Sequence, residues 1–236
     1  MEHITVKEIL EATGGRLLCG STDTPLDHLS IDSRTMKGND LFVPLVGEKV
    51  DAHRFIGQAF DNGAAATFTS EHDVMDDNRP WIRVADTKRA LQALGAWYRR
   101  RLNLPLVGIT GSVGKTTTRE MVACALSAKY RSQVHCAPSG TAKYRVYKTP
   151  ANHNSQVGVP ITMTEISSQD EIGVIELGMS EPGELTIIAN IAQIQMAVIT
   201  NIGITHIEQL GSQENIYREK LSIQDGLTEN GILFLN

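Results

Sequence analysis

Cysteine is scarce in this chain of 236 residues: Cys19, Cys124 and Cys136 make an odd number, without CxxC spacing. Neither a disulfide framework nor a cysteine-held zinc ion follows from that set, and a reducing cytoplasm suits it best. Long apolar stretches are missing as well. No run approaches the ~18 residues that cross a bilayer, and the opening MEHITVKEILEATGG is too polar for a signal peptide. The expectation is a cytoplasmic protein with no membrane partner. Positive charge is not gathered anywhere: the net charge is -5, and the cluster Arg99-Arg100-Arg101 reads as a solvated helix end. Without a basic face, a nucleic-acid partner has no electrostatic footprint.

What is present is ordinary globular material, 41% hydrophobic and 21% charged, which argues against disorder. The length exceeds a typical domain of roughly 100 to 200 residues, so one large or two smaller domains are expected. Thr5 followed by Glu8 is a capping box for a short helix whose apolar side is Val6, Ile9 and Leu10, closed by Gly14-Gly15. Leu41 to Val46 reads as a strand in which Pro44 forces an edge position or an irregularity. Phe55 to Phe60 reads as a helix closed by Asn62-Gly63, and Ala64 to Thr69 as a strand. After the polar stretch from Glu71 to Pro80, Trp81 to Val84 is strand-like again. These elements form a small α/β domain over residues 1–84.

From Thr87, taken as a helix cap, Ala90, Leu91, Leu94, Trp97, Tyr98 and Leu102 recur at helical spacing. Beyond them the apolar runs Leu106 to Ile109, Val174 to Leu177, Val198 to Thr200 and Ile232 to Leu235 alternate with helical stretches. That alternation is the pattern of a mostly parallel, doubly wound α/β sheet, placed in a second domain over residues 85–236. Ala128-Lys129-Tyr130-Arg131 recurs as Ala142-Lys143-Tyr144-Arg145, and residues 132–141 between the copies read as an inserted loop.

Leu106-Val107-Gly108-Ile109 runs into Thr110-Gly111-Ser112-Val113-Gly114-Lys115-Thr116-Thr117-Thr118, which is a strand, a glycine-rich turn and a helix start. Gly111 and Gly114 let backbone N–H groups close on an anion, and the helix N-terminus adds its positive dipole end. Lys115 supplies mobile charge, and Thr116 offers a hydroxyl to Mg²⁺. Gly111, Ser112, Val113, Gly114, Lys115, Thr116 and Thr117 are therefore the candidate nucleotide-binding residues, with ATP and Mg²⁺ as cofactors. Ile109 stands where the commoner phosphate-loop pattern has glycine. The competing reading is a glycine turn ahead of an ordinary helix.

The shorter form, TGSxGKTTT, resembles the ATP loop of the Mur ligases, which join amino acids or peptides to the growing peptidoglycan stem. Ser30-Ile31-Asp32-Ser33-Arg34, GNDLFVPLVGEKVDAHRF and the run from Ala59 to Ala65 are similar to the uridine-nucleotide-binding first domain of that family. Ala52 stands where the family usually has glycine. VADTKRALQALGAWYRR, TPANHNSQVGVP, VIELGMSEPGEL and VITNIGITHIEQLGSQENIYREK resemble the members that add D-alanyl-D-alanine. The likeness runs the length of the chain in matching order and spacing. It implies an ATP-dependent ligase whose small-molecule partners are UDP-N-acetylmuramoyl tripeptide and D-Ala-D-Ala. It also implies a third, C-terminal domain absent from these residues, so the chain is expected to be a fragment with an incomplete central domain. Two rivals stay open: a Mur ligase that adds a single amino acid, and a non-catalytic nucleotide-binding module.

The resemblance assigns roles to further residues, each with a plainer alternative. Glu176, at the end of the apolar run Val174-Ile175, is implied to share Mg²⁺ with Thr116, and is otherwise a helix cap or a solvated acid. His206 is implied to ligate a second ion, where a lone histidine is ordinarily structural. Lys220 is implied to be carbamylated and to become a metal ligand, where helical spacing alone makes it a solvated charge. Lys115, Lys220 and His206 form the implied catalytic set. Asn154 is implied to contact substrate or phosphate, against simple turn chemistry, and Ser155 stands where the family often has a second asparagine. Ser33 and Arg34 are assigned to the uridine substrate, with a surface salt bridge as the rival for the arginine.

Overall fold

The structure is a computed structural model that describes residues 1–2, 4–127 and 144–236. The inserted loop expected at 132–141 lies outside the described residues. The chain packs as two units, Met1–Arg101 with Pro160–Ser167, and Leu102–Val159 with Ser168–Asn236.

The first unit contains β1 (Ile4–Thr5), α1 (Val6–Thr13), β2 (Arg16–Cys19), β3 (Pro25–Leu26), β4 (His28–Ser30), β5 (Asp40–Phe42), α2 (Ile56–Asp61), β6 (Ala64–Thr69), β7 (Trp81–Arg83) and α3 (Thr87–Arg101). Its sheet has the order β2-β7-β6-β5-β4, antiparallel only between β2 and β7. The capping box forms as expected: Glu8 Oε2 accepts the Thr5 N–H at 2.9 Å, and left-handed Gly14 closes α1 with its N–H on Leu10 O. Phe42, Ile56, Ala59, Phe60, Ala64 and Trp81 pack into one core cluster.

Four features differ from the sequence reading here. The strand read over Leu41 to Val46 stops at Phe42, because Pro44 has no N–H for a ladder. Its carbonyl instead accepts the Thr87 hydroxyl at 2.6 Å. Thr87 is therefore spent on that bond, and Asp86 caps the helix, its Oδ1 accepting the Arg89 N–H at 2.8 Å. Nor is the arginine run wholly solvated: Arg99 is buried, while Arg101 pairs with Glu8 of α1 at 2.6 Å. Because α3 packs on α1, the packing divides the chain after Arg101, where the sequence reading sets its boundary near Ala85.

The second unit contains β8 (Leu106–Thr110), α4 (Lys115–Ser127), β9 (Val146–Lys148), β10 (Ile172–Glu176), α6 (Glu184–Ala192), β11 (Ile194–Ile199), the short α7 (Ile207–Leu210), α8 (Gln213–Leu221) and β12 (Leu227–Leu235). Between β9 and β10 lies α5 (Gly158–Glu165), counted from Pro160 onward with the first unit. The five strands form an all-parallel sheet in the order β9-β10-β8-β11-β12. Val107, Ile109 and Val174 pack with Ala123 of α4. The parallel sheet read from the apolar runs is thus present. Among the described residues no helix is long and apolar enough to cross a membrane.

Candidate phosphate and metal site

Strand order decides where chemistry can sit. β8 is central, and the chain places β10 on one side of it and β11 on the other. In an open parallel sheet such a reversal opens a crevice at the carboxyl ends of the strands. Glu176 is in register with Ile109, and Ile199 with Thr110. The glycine loop, Glu176 and the Thr200-Asn201 segment therefore leave three adjacent strands at one level.

The loop is held in shape from the β11 side. Ser112 N–H donates to Asn201 O at 3.1 Å, Val113 N–H to Asn201 Oδ1 at 3.0 Å, and Thr200 Oγ1 to Val113 O at 2.6 Å. Gly203 N–H in turn donates to Ser112 Oγ at 2.8 Å. Gly111 sits at φ +148°, and a Cβ there would lie 1.9 Å from Thr200 Oγ1, so the close approach requires glycine. Gly114 at φ +82° faces open space, and only its backbone conformation favours glycine. With Ser112 and Val113 committed to Asn201, the donors left for an anion among the described residues include the Gly114 N–H and the first-turn amides of α4, the latter unpaired by helix geometry. Lys115 reaches back across the loop, its Nζ donating to Gly111 O at 2.8 Å.

Around Glu176 the structure gathers residues that the sequence scatters. The carboxylate is 3% exposed. Its Oε2 accepts the Thr116 hydroxyl at 3.0 Å, and its Oε1 accepts Asn154 Nδ2 at 2.9 Å. Arg119, four residues after Lys115 and hence on the same face of α4, brings a buried guanidinium to 3.4 Å from Oε2. Arg119 Nη1 also donates to Ala151 O at 3.0 Å, and Ala151 is held in the left-handed region at φ +45°. Ser155, where the family often has asparagine, turns its hydroxyl to the Gly158 N–H at the start of α5. A carboxylate and a hydroxyl, both oxygen donors beside a phosphate cradle, are the set that Mg²⁺ takes while keeping water and phosphate oxygens. The residues fit that ion.

Lys220 is not the solvated charge that its helical spacing allows. It is 2% exposed on α8, and burial, aided by the charge of Lys115, brings its ammonium from the ordinary 10.5 down to about 8, with Glu219 opposing. Among the described residues that ammonium makes no hydrogen bond or ion pair. His206 makes no hydrogen bond to the Glu176 cluster among the described residues. It is exposed, sits in the left-handed region at φ +63° as the cap of α7, and its imidazole has no hydrogen-bond partner among the described residues.

In the first unit, Ser33 is buried, with its hydroxyl on Gln58 Oε1 at 2.8 Å and its carbonyl accepting Asn62 Nδ2 at 2.8 Å. Arg34 is exposed and forks onto Asp32 at 2.9 and 2.7 Å, which holds the Asp32 carboxyl at about 2. The salt-bridge alternative is therefore present for Arg34. Ala52 lies in a 3-10 turn outside the left-handed region, so the family's usual glycine is not needed there. Asp51, His53 and Glu71 come close enough to hold a cation. Yet Ser70 N–H donates to His53 Nε2 at 3.0 Å, which puts the imidazole proton on Nδ1, facing Asp51 at 2.6 Å. That tautomer leaves no lone pair on Nδ1 for a metal.

Comparison with known proteins then fixes the family. Residues 109–236 match the Mur ligase middle domain, and residues 25–99 match the Mur ligase family catalytic domain. The chain belongs to the Mur ligase family. It is 38% identical over 97% of its length to 48% of the UDP-N-acetylmuramoyl-tripeptide--D-alanyl-D-alanine ligase of Bacillus subtilis. Against the same-named ligase of Escherichia coli it is 34% identical, covering 100% of this chain and 48% of that one. Among solved structures, MurF of Acinetobacter baumannii superposes with a TM-score of 0.87 at 30% identity, over 100% of this chain and 49% of the other. The MurF ligase of Thermotoga maritima in complex with ADP gives 0.74 at 30% identity, over 88% and 45%. This Mur ligase chain thus spans about half the length of the curated relatives it matches.

Sequence reasoning missed Arg119 and Asn201. The i, i+4 spacing of Lys115 and Arg119 was a usable signal. Asn201 carried none, since it looks like an ordinary polar residue until the strands are assembled.

Proposed function

We propose that this chain is the nucleotide-sugar-binding and phosphate-loop portion of a cytoplasmic ligase. That ligase uses ATP to join UDP-N-acetylmuramoyl tripeptide to D-Ala-D-Ala in peptidoglycan precursor synthesis. The observation that carries the reading is the cluster at the phosphate loop, in which buried Glu176 takes Thr116 Oγ1 at 3.0 Å and Asn154 Nδ2 at 2.9 Å. The relatives named for this activity, matched over nearly the whole chain, support the same reading.

In this reading the terminal carboxylate of the tripeptide attacks the γ-phosphorus of ATP and ADP leaves. The amine of D-Ala-D-Ala then displaces phosphate from the acyl phosphate, forming the amide and giving up a proton. The protein's task is mostly electrostatic, since two anionic reactants must be brought together. Lys115 and the first-turn amides of α4 hold the phosphates. Mg²⁺, which Thr116 and Glu176 would hold, with His206 and carbamylated Lys220 at a second ion, supplies charge neutralisation there. Carbamylation needs a neutral amine, and the fall of Lys220 to about 8 leaves a usable neutral fraction near neutral pH. Asn154 orients Glu176, and Ser33 and Arg34 serve the uridine substrate in residues 1–84, residues 85–236 serving ATP.

The test is release of phosphate from ATP in the presence of UDP-N-acetylmuramoyl tripeptide and D-Ala-D-Ala, with the product identified by mass. Lys115→Ala is expected to lower turnover by at least about 100-fold. Undiminished turnover in that variant, or stimulation by a single amino acid in place of the dipeptide, would overturn the assignment.

A further inference from the structure

Glu219 has no part in the site described so far, yet its carboxylate is 8% exposed and both of its oxygens are used. Oε2 accepts the Gly183 N–H at 2.9 Å, and Oε1 accepts the Leu185 N–H at 3.0 Å. Gly183 is the cap of α6, itself in the left-handed region with no side chain to offer. The orphan amides at the start of that helix therefore find their acceptor on another helix. A carboxylate placed there also meets the positive end of the α6 dipole, which is how a buried charge with no ion pair among the described residues becomes tolerable. α8 is in effect stapled to α6 by its last turn.

The staple has a second point of attachment. After α8 the chain enters a 3-10 turn, Ser222–Gly226, in which a Cβ on Gly226 would come within 2.1 Å of Ala189 O on α6. Thr186 Oγ1 donates to Asp225 Oδ2 at 2.7 Å across the same contact. α6 follows directly from the loop after Glu176, so whatever fixes α8 on α6 fixes it relative to the strand end that carries that acid. The residue next to Glu219 is Lys220, 2% exposed.

We infer that Glu219 is a positioning residue, whose two bonds to the N-terminus of α6 set α8 at the depth that buries Lys220. The staple stands on geometry alone, and its consequence for turnover rests on the ligase reading above. Without Glu219 the amides of Gly183 and Leu185 turn to water, α8 loosens from its C-terminal half, and the Lys220 amine reaches solvent.

The experiment compares Glu219→Ala, Glu219→Gln and Thr186→Val with the wild type in the full protein, with folding checked by circular dichroism. Acylation of Lys220 by an amine-reactive ester in CO2-free buffer is followed by peptide mass. Because exposure also returns the amine toward its ordinary value and lowers its neutral fraction, the labelling rate is taken per neutral amine from its own pH profile; on that scale Glu219→Ala is expected to raise it by about 10-fold, with Glu219→Gln intermediate because one acceptor oxygen remains. Thr186→Val, which removes one bond at the second point of attachment, raises the rate less than Glu219→Ala does. In the phosphate-release assay Glu219→Ala lowers kcat by about 10-fold while the KM for ATP stays within about twofold, because the phosphate loop is untouched. Unchanged labelling in both Glu219 variants overturns the staple. Raised labelling with unchanged kcat overturns the positioning role. A wild type that releases no phosphate sinks the ligase reading, and the labelling result then still decides the staple.

Discussion

Glu176 is a buried acid whose neighbours were chosen for its charged form: two neutral donors, Thr116 and Asn154, and one guanidinium, Arg119. Arg119 is held independently by Ala151 O and by Glu120 at 2.8 Å, so it stays in place whether or not Glu176 turns toward a cation. Removing one member of a buried ion pair strands the other, and Arg119→Met is expected to cost about 3 kcal/mol of stability, read by urea denaturation. Adding Glu176→Gln to that variant should return part of the loss, because an amide needs no counterion there. A further loss from the second substitution would show that the pair is not coupled. At this scale the sequence named Thr116 through the phosphate-loop motif, and Glu176 and Asn154 through resemblance. What joins them, a hydrogen-bond network over 60 residues of chain, has no local signature.

Among the elements, the glycine loop separates two uses of one residue type. Gly111 is required by the Thr200 hydroxyl 1.9 Å from where its Cβ would be, whereas Gly114 is required only by its φ of +82°. Gly111→Ala must therefore displace Thr200 or distort the loop, with an expected cost of more than about 2 kcal/mol and loss of nucleotide binding. Gly114→Ala pays only the left-handed backbone, about 1 kcal/mol. Thermal melting with and without ADP separates the two, and equal effects would contradict the steric argument. The loop, its strand and its helix were legible because the run from Leu106 to Thr118 contains all three in order. The cap of α3 was not, since Thr87 and Asp86 are both competent caps, and only the carbonyl of Pro44 decides which of them is free.

For the molecule as a whole, Lys220 makes stability depend on pH with a definite sign. Its folded value is about 8 against the ordinary 10.5. Between those values the unfolded chain keeps a proton that the folded chain has released, so the residue's contribution makes stability rise with pH across that window. Below about pH 8 the buried charge is carried at full cost. Lys220→Met is expected to flatten the slope of unfolding free energy over that range, and an unchanged slope would mean that the ammonium is solvated.

The sequence by itself determined the α/β class, the parallel sheet, the phosphate loop and, by resemblance, the family, because each is written in short-range order: apolar period, turn residues, and a strand-loop-helix run. Tertiary structure alone decided that Pro44 ends its strand, that α3 packs with the first unit, and that Ser112 and Val113 give their amides to Asn201. It also decided that Lys220 is buried and that Glu219 caps a helix other than its own. Each of those outcomes depends on a partner distant in sequence, and burial or hydrogen bonding to such a partner exists only once the strands and helices have come together.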